Sequence, residues 1–272
     1  MAEICLWNDI IIPGIGYGTH KINEESVIID AIQQGYRLID TASHYYNEEV
    51  VGNAIRNSGG IKREKLFVVT KLWYSDMGYE NAHKAFQESL DRLQTDYIDL
   101  YLIHWPAAPD KYPDWKRTNA ETWKAFEELY DSKKVRAIGL SNFMEKHLRE
   151  LLKTSRIKPM VNQIENHPGF WQKEIIELCI KNEIQPMAWS PLGTGEVLIN
   201  TTLRGIARKY GKTPAQICLR WNLQHGLLPV PKSSTIERMR ENLDVFDFNI
   251  VEEDMLTIDE IPFCGGQGAI VK

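Results

Sequence analysis

The chain has few cysteines, no block of one charge, no long apolar run and no low-complexity tract. Its 272 residues include four cysteines, Cys5, Cys179, Cys218 and Cys264, too dispersed for a Cys-x-x-Cys motif. No disulfide framework is indicated, and Cys179 and Cys218, set in apolar helical patterns, read as buried thiols. Lys plus Arg is 32 against 37 Asp plus Glu, a net charge of −5. That balance argues against nucleic acid as a partner while allowing a local basic pocket. No stretch approaches the roughly 18 uninterrupted apolar residues of a membrane-spanning helix. The opening Met1-Ala-Glu-Ile-Cys-Leu-Trp-Asn8 lacks the basic and apolar regions of a signal peptide, so a cytoplasmic location is expected. Gly-x-Ser-x-Gly, His-Glu-x-x-His and a strand-borne Gly-x-Gly-x-x-Gly are also missing, which removes the elbow-serine hydrolase, zincin and Rossmann readings. No linker divides the chain, and residues 1–272 are expected to form one domain.

What the chain does have is a rhythm. Apolar runs at 36–40, 66–71, 97–104, 135–141, 160–163, 184–190 and 227–233 each end in a polar residue, with amphipathic helical patterns between them. Strand-then-helix order implies parallel strands, since a parallel pair needs a crossover. With 16–19 as a short first strand there are eight units, the number that closes a (β/α)8 TIM barrel of the α/β class. Helices are expected from Glu24 with Gly35 as a left-handed stop, from Asn47 as an N-cap, and from Tyr79. Others should begin at Thr118 through a Thr118-x-x-Glu121 capping box, near Glu145 and near Gln172. Two more helical patterns at 202–210 and 214–223 precede the last strand, and 235–242 and 252–261 follow it.

Active sites of such barrels gather at the carboxyl ends of the strands. There the chain carries Asp40 and, on the loop after it, Tyr45; Lys71 ends the third strand and His104 the fourth. Alone, the Asp reads as a cap, the Lys as a solvated edge and the His as a structural residue. Together, carboxylate, ammonium, imidazole and phenol fit proton transfer to a carbonyl oxygen. The ammonium is expected to stabilise the phenolate and lower the tyrosine pKa, with the carboxylate holding the lysine charged. Neutral imidazole can donate a hydrogen bond to the carbonyl. His104 and His167 lack the paired carboxylates of a metal site, so no metal is expected. The loops after the last two strands, Ser190-Pro-Leu-Gly-Thr-Gly195 and Pro231-Lys-Ser-Ser-Thr-Ile-Glu-Arg238, suit a phosphate, with Lys232, Ser233 and Arg238 around it. Trp189 reads either as a ring on which a flat group stacks or as an ordinary rim aromatic.

These stretches, with Leu102-Ile-His-Trp-Pro106, Ile138-Gly-Leu-Ser-Asn-Phe143, Val161-Asn-Gln-Ile-Glu165 and Trp189-Ser-Pro-Leu-Gly193, resemble the aldo-keto reductase family over nearly the whole chain. The resemblance implies a monomeric, metal-free barrel that reduces a small-molecule carbonyl with NADPH. By motif, Tyr45 would be the general acid, Lys71 and Asp40 would tune it, and His104 would orient the carbonyl. Ser141, Asn142 and Gln163 would hold the nicotinamide amide and Trp189 would stack on its ring. Gly18 and Thr19 would lie beside the cofactor, and Ser190 and Leu192 along its pyrophosphate. Lys232, Ser233 and Arg238 would grip the 2′-phosphate, with Glu241 and Asn242 facing the adenine. His20, Trp73 and Trp105 look like substrate walls. His20 replaces the Trp or Tyr of many relatives, Tyr46 stands where Gly is frequent, and the tail after Asn242 is short, as in the shorter microbial members. These departures favour a small aldehyde, dicarbonyl or keto-sugar over a steroid. A slow or inactive cofactor-binding regulatory subunit is the alternative that the resemblance also allows.

Overall fold

The computed structural model describes residues 3–109 and 111–268. Of the domain expected over 1–272, residues 1–2, Asp110 and the last four of the tail lie outside the described residues. A two-stranded antiparallel hairpin comes first, β1 (Glu3–Cys5) and β2 (Ile11–Pro13). Eight parallel strands then follow: β3 (Gly16–Gly18), β4 (Leu38–Asp40), β5 (Phe67–Leu72), β6 (Ile98–Ile103), β7 (Val135–Ser141), β8 (Val161–Glu165), β9 (Gln185–Trp189) and β10 (Leu228–Val230). Each hydrogen-bonds to the next. The ring is drawn together by the Gly18 N–H, which donates to Pro231 O at 2.9 Å. Glycine matters here: a Cβ at Gly16 would fall 2.6 Å from Leu38 Cδ2, and one at Gly18 would fall 3.3 Å from Val230 O.

The strands form because their side chains are buried on both faces; every residue of β5 and β6 is buried. Near-continuous apolar runs are what such strands require. The helices are α1 (Glu25–Gln34), α2 (Glu48–Arg56), α3 (Tyr79–Leu93), α4 (Trp115–Asp131), α5 (Glu145–Leu152), α6 (Lys173–Lys181), α7 (Thr201–Tyr210), α8 (Pro214–Gln224), α9 (Ile236–Leu243) and α10 (Glu252–Asp259). Each turns an apolar stripe inward, as α3 does with Ala82, Ala85, Phe86, Leu90 and Leu93. Gly35 closes α1 with a φ of 114°.

Two expected helix starts differ. Asn47 precedes α2, but its side chain does not cap it. It accepts from Thr41 Oγ1 and donates to Thr19 O and Ile22 O, tying the loops after β3 and β4 together. α4 begins at Trp115 rather than at Thr118, whose hydroxyl donates to Asp114 O inside the first turn. Burial of the Trp115 ring, edge-on to His147, carries the helix back three residues past the apparent capping box.

The molecule has two unlike ends. At the amino ends of the strands the hairpin docks through Trp7 Nε1, donating to Pro159 O at 3.2 Å, and Asn8 Nδ2, donating to Arg136 O at 3.1 Å. The carboxyl ends open into loops. Among the described residues no helix is long and apolar enough to cross a membrane.

Candidate active site

Loops leaving the strands' carboxyl ends surround a cleft of about 910 Å³, which is in the upper part of the range for small-molecule and cofactor sites. All but two of the residues expected at the site border it; the exceptions are Thr19 and Lys71. Thr19 is buried and its hydroxyl donates to Asp40 O at 2.9 Å, so it braces the strand end instead of facing the cleft. Lys71 lies just beneath the cleft floor.

Lys71 is the last residue but one of β5, and its ammonium is wholly buried. The Nζ donates to Asp40 Oδ1 at 2.6 Å and Thr41 O at 2.8 Å, and stands 3.5 Å from the Tyr45 hydroxyl. Burial works against the charge, but Asp40 and Tyr45 more than offset it, and the lysine pKa rises above its ordinary value. Asp40 Oδ2 accepts from Gln163 Nε2 at 2.7 Å, which links strands on opposite sides of the barrel mouth. Tyr45 ends a single 3₁₀ turn, Ser43–Tyr45, held by Ser43 Oγ donating to Lys71 O at 2.9 Å. The tyrosine is half-buried, and here the sequence expectation needs correcting. Burial raises the phenol pKa; Lys71 pulls it down without overcoming that rise, and the net direction is upward. The hydroxyl therefore keeps its proton near neutrality. Lys71 limits the cost of forming the phenolate without making the phenol acidic in its resting state.

His104, just past β6, is buried with Nδ1 unpartnered among the described residues. Burial first, then the positive charge of Lys71 and of nearby histidines, holds its pKa well below 6.5. It is a neutral imidazole at physiological pH. Tyr45 and His104 meet edge-on with centroids 5.6 Å apart, and Trp73 meets His104 edge-on at 5.1 Å.

Farther along, Asn142 adopts φ 62° just past β7 and spends both amide protons inside the protein, on His104 O and Ser141 Oγ. Its Oδ1 accepts from Trp189 Nε1 at 2.9 Å, which fixes the indole on the cleft wall. Ser141 Oγ donates to Gln163 O. Ser190, at φ 49°, starts the loop that carries Leu192, Thr194 and Gly195 along the cleft. At the outer end Lys232 and Arg238 are exposed and form no ion pair with a described carboxylate. Beside them Ser233 is buried, bonded to the Thr235 backbone, and Glu241 accepts from Thr213 Oγ1. Among the described residues no cluster of His, Cys, Asp or Glu can hold a metal.

Sequence reasoning missed His44, Lys21 and Gln267, all of which border the cleft. His44 adjoins Tyr45 in the chain, the one signal that was available. Gln267 arrives only because the tail folds back, its N–H donating to Glu165 Oε1 at 2.6 Å.

Residues 15–262 match the Aldo/keto reductase family. The chain is 50% identical over 260 residues to the glyoxal reductase of Bacillus subtilis (strain 168), covering 94% of this chain and 91% of that protein. It is similar to the crystal structure of an aldo/keto reductase from Brucella melitensis, with a TM-score of 0.89 and 46% identity over 96% of this chain and 97% of that one. A Bombyx mori aldo-keto reductase solved in complex with NADP gives a TM-score of 0.89 and 35% identity, over 100% and 94% of the two chains.

Proposed function

The chain belongs to the aldo/keto reductase family, and on that footing we propose that it reduces a small aldehyde or ketone to an alcohol with NADPH, Tyr45 giving the proton. One observation carries the reading: a wholly buried ammonium, Lys71, is bonded to Asp40 at 2.6 Å and lies 3.5 Å from the Tyr45 oxygen at the floor of a large cleft.

The residues present suit the cofactor. Exposed Lys232 and Arg238, without an ion-pair partner among the described residues, match a 2′-phosphate together with Ser233 and favour NADPH over NADH. Trp189, its indole fixed by Asn142, offers a face to the nicotinamide, with Ser141 and Gln163 for its amide. Asn142 acts mainly by holding Trp189 and the His104 backbone, since its own N–H groups are committed. Ser190 and Leu192, with Gly18, would line the pyrophosphate, and Glu241 and Asn242 the adenine; all five border the cleft. When bound, NADPH supplies the hydride that the carbonyl carbon accepts.

The chain's own part is polar. Neutral His104 donates to the carbonyl oxygen and aims it at Tyr45. As electron density moves onto that oxygen, the Tyr45 proton passes to it. The phenolate left behind faces Lys71, whose charge Asp40 and Thr41 O hold in place. His20, Trp73 and Trp105 wall the substrate end, and the product leaves as a neutral alcohol. The regulatory-subunit alternative draws no support from these relatives, which are named as reductases.

Tyr45→Phe tests the reading. NADPH binding, followed by quenching of tryptophan emission, should persist, while turnover of a reactive aldehyde falls by about 10²–10⁴-fold. Turnover within a few fold of the parent would remove Tyr45 as the acid.

A further inference from the structure

Tyr45 stands in a row of rings, and that row contains a histidine with no role so far. His44 lies flat against Trp73, ring centroids 3.6 Å apart and planes within 2°. On its other contact Tyr46 lies tilted at 5.3 Å. One face of the imidazole is thus covered by the Trp73 ring, while its nitrogens have no hydrogen-bond partner among the described residues. The ring is half-buried and borders the cleft. Its place relative to Tyr45 is set by the turn the two share, which Ser43 pins to the Lys71 carbonyl.

His20, His44 and His104 all border the cleft beside Tyr45, the His20 and His104 rings with centroids 4.9 and 5.6 Å from the Tyr45 ring and His44 next to it in the chain. They are not a metal-binding group. In the reaction proposed above one of them, His104, is occupied by the reacting oxygen. A second imidazole beside it has no use for an unfunctionalised alkyl aldehyde. It suits a substrate with another oxygen, because imidazole can donate to a ketone or accept from a hydroxyl.

Resting on the reductase reading, we propose that His44 is a specificity residue which hydrogen-bonds an oxygen on the carbon next to the reacting carbonyl. The preferred substrates are then small 1,2-dicarbonyls and 2-hydroxyaldehydes. Stacking on Trp73 holds the donor in one orientation before the substrate arrives, so little freedom is lost on binding. A site built to pair a polar group also discriminates against the analogue that lacks it, since its own donor then goes unpaired.

Methylglyoxal and propanal differ at the carbon beside the aldehyde, where the first carries an oxygen. The quantity to measure is the ratio of their kcat/KM values with NADPH, in the parent, in His44→Phe and in His44→Gln. Phenylalanine keeps a ring to stack on Trp73 but has no nitrogen; glutamine restores a donor and an acceptor. Intrinsic reactivity and hydration of the two aldehydes cancel when the ratio is compared between proteins. The expected result is a fall of about tenfold in His44→Phe, carried mainly by the KM of methylglyoxal, with partial recovery in His44→Gln. An unchanged ratio overturns the proposal, and so does an equal loss with both aldehydes, which would make His44 a support for the Tyr45 turn only. Failure of the reductase reading looks different: the parent protein would then turn over neither aldehyde.

Discussion

Lys71 is the side chain in the least natural surroundings for its type, an ammonium with no exposure inside a barrel of apolar strands. Desolvating such a charge costs several kcal/mol, and it is tolerated only with close partners, here Asp40 and the Thr41 carbonyl. Lys71→Met should therefore act twice. It leaves a buried carboxylate without its cation, and it removes the one influence that lowers the Tyr45 pKa, so the phenol becomes a still weaker acid. Turnover should fall by at least about 10²-fold while NADPH still quenches tryptophan emission, a split that steady-state and binding measurements together can check. The same shifts fix a pH profile. The reactive form has Tyr45 protonated, Lys71 charged and His104 neutral. The Tyr45 and Lys71 values lie above 10.0 and 10.5, and the His104 value lies well below 6.5. Protonation of His104 can therefore slow reduction only on the acid side of that range, and loss of the Tyr45 proton only on the alkaline side. Log kcat/KM for a non-ionising aldehyde should be flat between about pH 7 and 9; an inflection of one unit within that window would refute the assignment. Asp40, Lys71 and His104 were legible in the sequence because each ends an apolar run. The rise of the phenol pKa was not, because burial depends on neighbours drawn from distant parts of the chain.

At the scale of elements, the order of strands and helices could be read from periodicity, and most spans fall within a residue or two of expectation. The exceptions have local causes. Strands of three residues, such as those of the β1–β2 hairpin, are too short to display alternation. Thr118-x-x-Glu121 has the form of a capping box, yet Trp115 gains more by burial as a helical residue than Thr118 could gain as a cap. Gly52 shows how packing can invert a propensity. In an open helix Gly→Ala stabilises by about 1 kcal/mol. In α2, however, a Cβ at Gly52 would fall 2.5 Å from Leu93 O and 3.0 Å from Arg92 O, at the carboxyl end of α3. Gly52→Ala should thus destabilise, by about 1–3 kcal/mol, in a urea melt. A stabilised variant would mean that α2 and α3 do not approach so closely.

Over the whole molecule, stability and chemistry occupy opposite ends of one barrel. The hairpin seals the amino ends, its β2 residue Ile12 fully buried, and the cleft opens at the carboxyl ends. Ile12→Ala should cost about 2–5 kcal/mol of stability yet keep kcat/KM for a reactive aldehyde within about twofold below the melting range. A comparable loss of kcat/KM would show that the two ends are coupled. The sequence by itself determined the class of fold, the family, and which residues reach the rim, because strand periodicity and strand-end chemistry are written in neighbouring positions. Only the tertiary structure decided that Thr19 turns away from the cleft, that Asn142 spends its protons on its own scaffold, and that His44 lies flat on Trp73 beside the acid. Such facts depend on distances between segments far apart in the chain, which close packing sets and no local pattern encodes.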